Sequence, residues 1–585
     1  MFLLTTALAA PLEPAPDRAG LPKGLPAWGV LVQDVDGDGA VEFSAVSHGT
    51  LPLWYSLDAE ARFQDVADPW GGERADRHGI TACDLDADGD RELVVARGGA
   101  RGTGGTALEV WDYRYGVWVD VSEPFRATEG VRMRGLSCVD VDGDGRAELY
   151  VPGAKGKKSD QLWAFDEGWI ERAEAWGLTR LEVSNGGLFA DLDGDLDQDL
   201  VRIEGGDVGI LLQADGAFVR TASPRQVGVR DAALFDLEND GDLDLYLARS
   251  GVVADTVGDQ GARLFFDEGD TDTVTWQFPQ ECSVVRLRVQ GELDGQGARV
   301  VTAEDSDRHQ VRLRFDPSFR AEPEGAVVAW VSPVRRRVHL RATADEGRLF
   351  VGLECIDGGV QGSLLSAEVD EGGRIPPRQD VILVNDGLGG FTAIEAPGSE
   401  TADVAVLDVD LDGDDDLFLV GETEPGVWAN GEDTLLVNEG GTLQRVSIDD
   451  PRAFGRGTLA VPADLDGDRF PEVIVVNGEY DGTLAGHSQV WNNPGVEGHH
   501  WIEVEVYEPD GQVRSLGARV QVIAAGSVQR RSSARAPDHR SNGTTSAVFG
   551  LGEARLAQVL VTWPDGSSVV HDRVPAGTTL RVVKP

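Results

Sequence analysis

Residues Cys83–Val95 read CDLDADGDRELVV. Carboxylates stand at Asp84, Asp86 and Asp88, then at Glu92, and an aliphatic run follows at once. Alone, the stretch is an acidic turn. It is not alone, because acid at positions 1, 3, 5 and 9 of a nine-residue frame recurs seven times. The first three frames are Asp34, Asp36, Asp38, Glu42; Asp84, Asp86, Asp88, Glu92; and Asp140, Asp142, Asp144, Glu148. The next two are Asp191, Asp193, Asp195, Asp199 and Asp236, Glu238, Asp240, Asp244. The last two are Asp408, Asp410, Asp412, Asp416 and Asp464, Asp466, Asp468, Glu472. Such self-similarity marks a repeat architecture and is settled before local detail.

The frame resembles a helix–loop–helix calcium loop but lacks its last ligand. That loop needs a bidentate Glu at position 12. Here position 12 is Ala45, Val95, Val151, Arg202, Leu247, Leu419 and Val475. The flanks, such as WGVLVQ before Asp34 and ELVVA after Arg91, are strand-like, so each frame joins two antiparallel strands. Carboxylates crowded within a few Å repel, and a hard cation removes the problem. Oxygen-only donors without His or Cys point to Ca²⁺ or Mg²⁺, and a flexible loop suits the 6–8 coordination of Ca²⁺ better than octahedral Mg²⁺. The expectation is up to seven Ca²⁺ ions on the 28 acids. Gly39, Gly89, Gly145, Gly241 and Gly413 at position 6 permit the turn, whereas Leu196 and Arg469 depart from it.

A second marker, an aliphatic or aromatic strand before a turn, recurs in each unit (LEVWDY, QLWAFDEG, VILVNDG, TLLVNEGG). Together the markers define strand, Asp frame, strand, connector, strand, turn, strand. The sequence therefore predicts an all-β fold: a seven-bladed β-propeller with an inserted β-sandwich and a C-terminal β-sandwich domain. A solenoid is the runner-up, but it would need end caps. The expected division is a short signal-like segment at 1–18, propeller at 19–249, the insertion at 250–379 inside the fifth unit's connector, the remaining propeller at 380–496 and the C-terminal domain at 497–585. Closure requires an outer strand from about residues 10–18, where APLEPAPDR carries three prolines and makes a poor strand.

Alternating strands place all Asp frames on one face and all connectors on the other. Long Gly-rich connectors carry Lys155, Lys157, Lys158, Trp428 and Tyr480, and such loops on a rigid scaffold are where binding concentrates. The net charge of −49 would rise only to −35 with seven divalent ions, which excludes nucleic acid and electrostatic membrane binding. No run approaches the ~18–20 apolar residues of a spanning helix. Cys282 and Cys355 are candidates for a disulfide; Cys83 and Cys138, each just before an Asp frame, read as small buried thiols.

The Asp frames followed by DLYLA or ELVVA, with LLVNDGLGGFT-like stretches between, resemble FG-GAP/VCBS repeats, the propeller repeats of integrin α chains. GARVQV (Gly517–Val522), VFGLG (Val548–Gly552) and WPDG (Trp563–Gly566) resemble the ASPIC/UnbV domain. The combination is similar to the cartilage acidic protein family and its bacterial relatives. That resemblance implies a secreted, calcium-binding, non-enzymatic protein whose ligands are positions 1, 3, 5 and 9. HRSNGTTSAVFGLG departs from the family's lead-in to that domain. The sequence shows no H-E-x-x-H, G-x-S-x-G or P-loop motif. The expected role is an extracellular binding or adhesion scaffold, monomeric, secreted or at the cell surface, with a protein or glycan partner on the face opposite the Asp frames. The alternatives are a polysaccharide-active enzyme with a central-funnel site and an accessory protein of a biosynthetic cluster.

Overall fold

The computed structural model describes residues 12–15, 27–47, 51–58, 62–66, 69–71, 73–98, 107–128, 133–153, 160–166, 168–178, 184–204, 207–214, 216–224, 226, 228–249, 379–399, 401–421, 433–448, 457–477, 488–511, 513–533 and 547–585. Strands at 541–542 and between 255 and 368 are described as backbone only. The connector residues Lys155, Lys157, Lys158, Trp428 and Tyr480, and the pairing of Cys282, lie outside the described residues.

No α-helix occurs among the described residues. The repeat region is a series of four-stranded antiparallel sheets. The first strands are Gly29–Gln33, Arg77–Cys83, Ser137–Val139, Gly186–Ala190, Val229–Phe235, Thr401–Leu407 and Gly457–Ala463. One register repeats in every sheet. The residue before position 1 pairs with position 9, as in Gln33 with Glu42, Cys83 with Glu92, Phe235 with Asp244 and Ala463 with Glu472. Position 9 is therefore the first residue of the second strand. The acid sits where the chain re-enters the sheet.

The first two strands of the sheets are buried along nearly their whole length, whereas the fourth strands are largely exposed. The reason is packing between sheets. Separate apolar clusters lie between successive sheets, for example Leu31, Trp54 and Trp70 with Ile80 and Val95, or Tyr150 and Leu162 with Phe189 and Leu211. Another joins Val30, Val32 and Phe43 of the first sheet to Leu459, Ile474 and Val490 of the last. Burying each such side chain contributes about 1.5–3 kcal/mol, so no sheet can be peeled away without exposing two interfaces. The order of sheets thus closes on itself.

Backbone hydrogen bonds also tie the start of the chain to the last sheet. Glu13–Pro14 pairs antiparallel with the third strand of the last sheet, Glu13 opposite Asn492 and Pro14 opposite Trp491. Leu12 packs beside Trp491, and Ala15 N–H donates to Val490 O at 2.8 Å. A prolyl residue is tolerated because the strand is outermost and its missing N–H faces no partner strand. In the fifth sheet the second strand, Asp244–Arg249, pairs with Gln379–Asn385, so residues 250–378 leave and return between neighbouring strands. Strands in that excursion form a five-stranded and a four-stranded sheet.

The expectation of thiols at Cys83 and Cys138 is corrected: they form a disulfide. The first strands of the second and third sheets run side by side, and both cysteines precede their Asp frame by one or two residues. The repeat itself brings them together across the seam. The C-terminal region folds as a three-stranded and a four-stranded sheet around Ile502, Val520, Phe549, Val561 and Trp563.

The disulfide closes a loop of 55 residues between two sheets. Replacing Cys83 and Cys138 by Ser should lower unfolding free energy by about 2–4 kcal/mol. Denaturant unfolding of the two proteins checks this; equal midpoints would show that the bond contributes nothing.

Candidate metal centres

Each Asp frame is a tight turn wrapped around its own carboxylates. The position-9 acid points back into the turn and accepts the N–H of position 2 in all seven frames, from Val35 N to Glu42 Oε2 at 2.9 Å through Leu465 N to Glu472 Oε2 at 2.8 Å. The position-1 acid accepts the N–H of position 6, as in Gly39 N to Asp34 Oδ2 at 3.1 Å and Gly145 N to Asp140 Oδ2 at 3.0 Å. The position-5 acid accepts the N–H two residues on, as Asp88 Oδ1 does from Asp90 N and Asp144 Oδ1 from Arg146 N. Leu196 and Arg469 keep positive φ at position 6, 81° and 75°, so the turn survives loss of its glycine.

This wrapping brings together positions 1, 3 and 9. Candidate ligand atoms of Asp34, Asp36 and Glu42 lie within 4.8 Å of one another, and so do those of Asp84, Asp86 and Glu92, of Asp140, Asp142 and Glu148, and of Asp191, Asp193 and Asp199. In the second frame Asp88, Asp90 and Glu92 form a further cluster. Position 5 otherwise stands outside the clusters named above, capping the turn. At 4.8 Å two full charges repel by roughly 3–4 kcal/mol at an effective dielectric of about 20.

The protein without cations meets this cost partly by holding protons. Burial, chiefly, pushes Glu42 to about 7, Glu148 to about 8 and Glu92 to about 9. Burial likewise raises Asp199 to about 7 and Asp244 to about 8, and drives Asp408 and Asp416 well up. Neighbouring carboxylates of the same frame add to the rise, against backbone N–H groups that oppose it. The donor set fits a hard divalent cation. Glu92 Oε1, Asp86 Oδ1 and Asp408 Oδ1 are buried and accept no hydrogen bond, and carboxyl oxygens in that condition call for either a proton or a cation.

Comparison with known proteins follows the same lines. A family model described as FG-GAP-like repeat matches residues 34–95 and 84–151, and one described as ASPIC and UnbV matches residues 509–585. The chain carries FG-GAP-like repeats and a C-terminal ASPIC/UnbV domain. It is similar to cartilage acidic protein 1 of Homo sapiens, 30% identical over 141 residues that make 21% of either chain. It is 27% identical to cartilage acidic protein 1 of Mus musculus over 257 residues, 37% of this chain and 39% of that one. The chain thus spans well under half the length of the curated relatives it matches. The extracellular domain of a protein described as a one component system from B. thetaiotaomicron aligns over 95% of this chain and 92% of its own at 8% identity, with a TM-score of 0.24, too low to argue from.

Three features of the FG-GAP-like units escaped the sequence reading. The first is a clamp between neighbours. Gln213, Asn385, Asn438 and Asn493 donate their side-chain amides to the position-2 carbonyls of the preceding frame: Val141, Leu192, Leu237 and Val409. Position 2 is therefore held twice, by its own unit's acid and by the next unit's amide. The recurring Asn of LVNDG, LVNEG and WNNPG was the available signal.

The second is the seat of the ASPIC/UnbV domain, which lies on the Asp-frame face. Arg519 binds Asp191 Oδ2, Arg530 Nη1 donates to Asp240 O at 3.1 Å, and Arg531 Nη2 reaches Asp415 Oδ1 at 2.8 Å. Arg469 of the seventh frame bridges Asp464 Oδ2 at 2.7 Å and Glu503 Oε2 at 2.9 Å and lies over Trp501. From the same domain, Ser541–Asn542 pairs in parallel with Val30 and Leu31 of the first sheet. A cavity of about 480 Å³ remains between frames and domain, walled by Ala82, Ala190, Ala233 and Ala405 and roofed by Tyr507 and Ser515.

The third is a tie at the opposite end of the first strands. His78 Nε2 meets Asp76 Oδ1 at 3.2 Å, His78 Nδ1 meets Arg134 Nη1 at 2.7 Å, and Arg134 lies over Trp28. Both ring nitrogens of this buried histidine are engaged, and the contacts stitch three units together.

The raised carboxyls set a pH dependence. Their folded values lie above the unfolded ~4.3, so folding takes up protons between that value and about 9. In chelator, the stability they contribute is present at about pH 4 and is lost as pH rises through 7–9. Melting temperature in chelator should fall steadily from pH 5 to pH 9; a flat or rising profile would refute the arrangement.

Proposed function

We propose that this chain is a seven-bladed β-propeller stapled by up to seven Ca²⁺ ions, secreted or displayed at the cell surface, which acts as a non-enzymatic binding scaffold. The observation that carries the reading is the seat of the ASPIC/UnbV domain on the Asp-frame face. That face is occupied from within the chain, which leaves the connector face for a partner. A protein or a glycan fits a scaffold of this charge; a nucleic acid does not.

In this reading positions 1, 3 and 9 of each frame, with position 5 completing the turn, would hold the ion. Bound Ca²⁺ supplies positive charge where the chain has crowded carboxylates, and it fixes the hinge between first and second strands. The amide clamps pass that rigidity to the neighbouring blade. The Cys83–Cys138 disulfide supports an oxidising location, since such bonds persist outside the cytosol. Against catalysis stands His78, whose nitrogens are both engaged, although it is the one place in the described residues where His, Arg and acid meet at the end of the first strands. The chain is taken to work as a monomer.

Melting the protein with Ca²⁺, with Mg²⁺ and with chelator tests the staple. At a hundredfold excess over Kd each bound ion adds about 2.7 kcal/mol, so Ca²⁺ should raise the melting temperature strongly and Mg²⁺ less. An unchanged melting temperature after chelation sinks the proposal.

A local test uses Asp86→Ala with Asp88→Ala. The double variant should lose about one equivalent of bound Ca²⁺ and become sensitive to protease in the second blade, near Asp84–Glu92. Wild-type protease resistance and wild-type metal content together would remove the second frame from the ligand set.

A further inference from the structure

The seven frames are not equally open. In the first, Gly37, Asp38 and Gly39 are exposed, and Asp34 is only half-buried. The sixth is different. It is the one frame with no exposed residue: Asp408, Leu411, Gly413 and Asp416 are buried and Asp410, Asp412 and Asp414 half-buried. The third and fifth frames, whose first and ninth acids are buried as deeply, expose Asp142, Asp144, Glu238 and Asp240. The cover is the ASPIC/UnbV domain together with the residues that lead into it. Gly552 N–H donates to Leu411 O at 2.8 Å, His499 Nδ1 meets Asp410 O at 2.6 Å, and Arg531 Nη2 donates to Asp415 Oδ1 at 2.8 Å. Gly550 lies so close that a Cβ there would meet Asp408 Oδ2 at 2.3 Å, and a Cβ on Gly413 would meet the Gln529 side chain at 2.7 Å.

Under this cover Asp408 Oδ1 is buried and has no hydrogen-bond partner. Neither the frame nor the domain donates to it, although Asp415, one residue outside the ligand positions, receives a full guanidinium. An unpaired carboxylate oxygen sealed into an interface is costly, and a hydrogen-bonded or ion-paired partner is the usual remedy. The guanidinium of Arg531 binds the neighbour and its charge also reaches Asp408, but no donor of the domain contacts Asp408 Oδ1.

We propose that the sixth frame holds a trapped divalent cation whose exchange is gated by the ASPIC/UnbV domain. This inference rests on the reading of the frames as Ca²⁺ sites. An ion in the first frame can leave through an open turn. An ion in the sixth can leave only when the contacts of Arg531, His499 and Gly552 break. Linkage then works in both directions: the trapped ion favours the docked domain, and the docked domain slows loss of the ion.

The test is chelator challenge of the full-length, Ca²⁺-loaded protein, with released Ca²⁺ followed by an indicator dye. About one equivalent per chain should leave at least tenfold more slowly than the rest. Arg531→Ala removes a charged hydrogen bond outside the ligand set and should speed that slow phase by roughly tenfold, leaving the fast phases unchanged. His499→Ala serves as the second variant and should act in the same direction by a smaller factor. Release of every ion in a single fast phase overturns the inference while leaving the Ca²⁺ reading intact. A slow phase that neither variant alters also overturns it. Absence of any bound Ca²⁺ in the wild type would instead overturn the reading on which it rests.

Discussion

The repeat region depends on one recurring hydrogen bond, from the N–H of position 2 to the carboxylate of position 9. Because position 9 opens the second strand, that bond fixes both the shape of the turn and the register of the first hairpin in every unit. It also draws an acid into a buried place beside two others. The turn is thus built so that it folds easily around its backbone and badly around its charges. A cation is the natural complement, and protons held above their usual range are the substitute when no cation is present. The amide of the next unit, attached to the carbonyl of the same position 2, extends the local geometry to the neighbouring sheet.

Much of this was legible in the sequence. The 28 acids, the alternation of short strands and the site of the long excursion follow from spacing alone, because register and turn are local. What was not legible depends on which units become neighbours. Cys83 and Cys138 are 55 residues apart and pair only because two first strands lie side by side. Asn385 and Asn438 stand in sequence beside a local turn, but their amides reach frames about 190–200 residues earlier. The prolines of residues 10–18 argue against a strand, yet among the described residues Glu13–Pro14 form one, at an edge where the missing N–H does no harm. The position-5 acids each accept the backbone N–H two residues on, a local bond that spacing alone does not display.

The C-terminal domain changes the meaning of the two faces. Spacing distinguishes a face with acids from a face with connectors but cannot say which is covered. Arginines 519, 530 and 531 come from one strand and its neighbour, and they meet three successive frames. An arginine-rich edge over an acidic surface is held by many modest contacts, each weakened by salt. The parallel pairing of Ser541–Asn542 with the first sheet adds backbone bonds that salt does not screen.

The two-residue strand at Glu13–Pro14 has a consequence for biosynthesis. Its partner Trp491 is made 477 residues later. At synthesis rates of about 5–20 residues per second, Glu13 and Pro14 wait roughly half a minute to a minute and a half for the strand they pair with. Through that interval the third strand's docking edge does not exist, and the earlier sheets must stand as an open arc with one bare flank. The segment rich in proline suits the wait, since it cannot easily pair with anything else in the meantime.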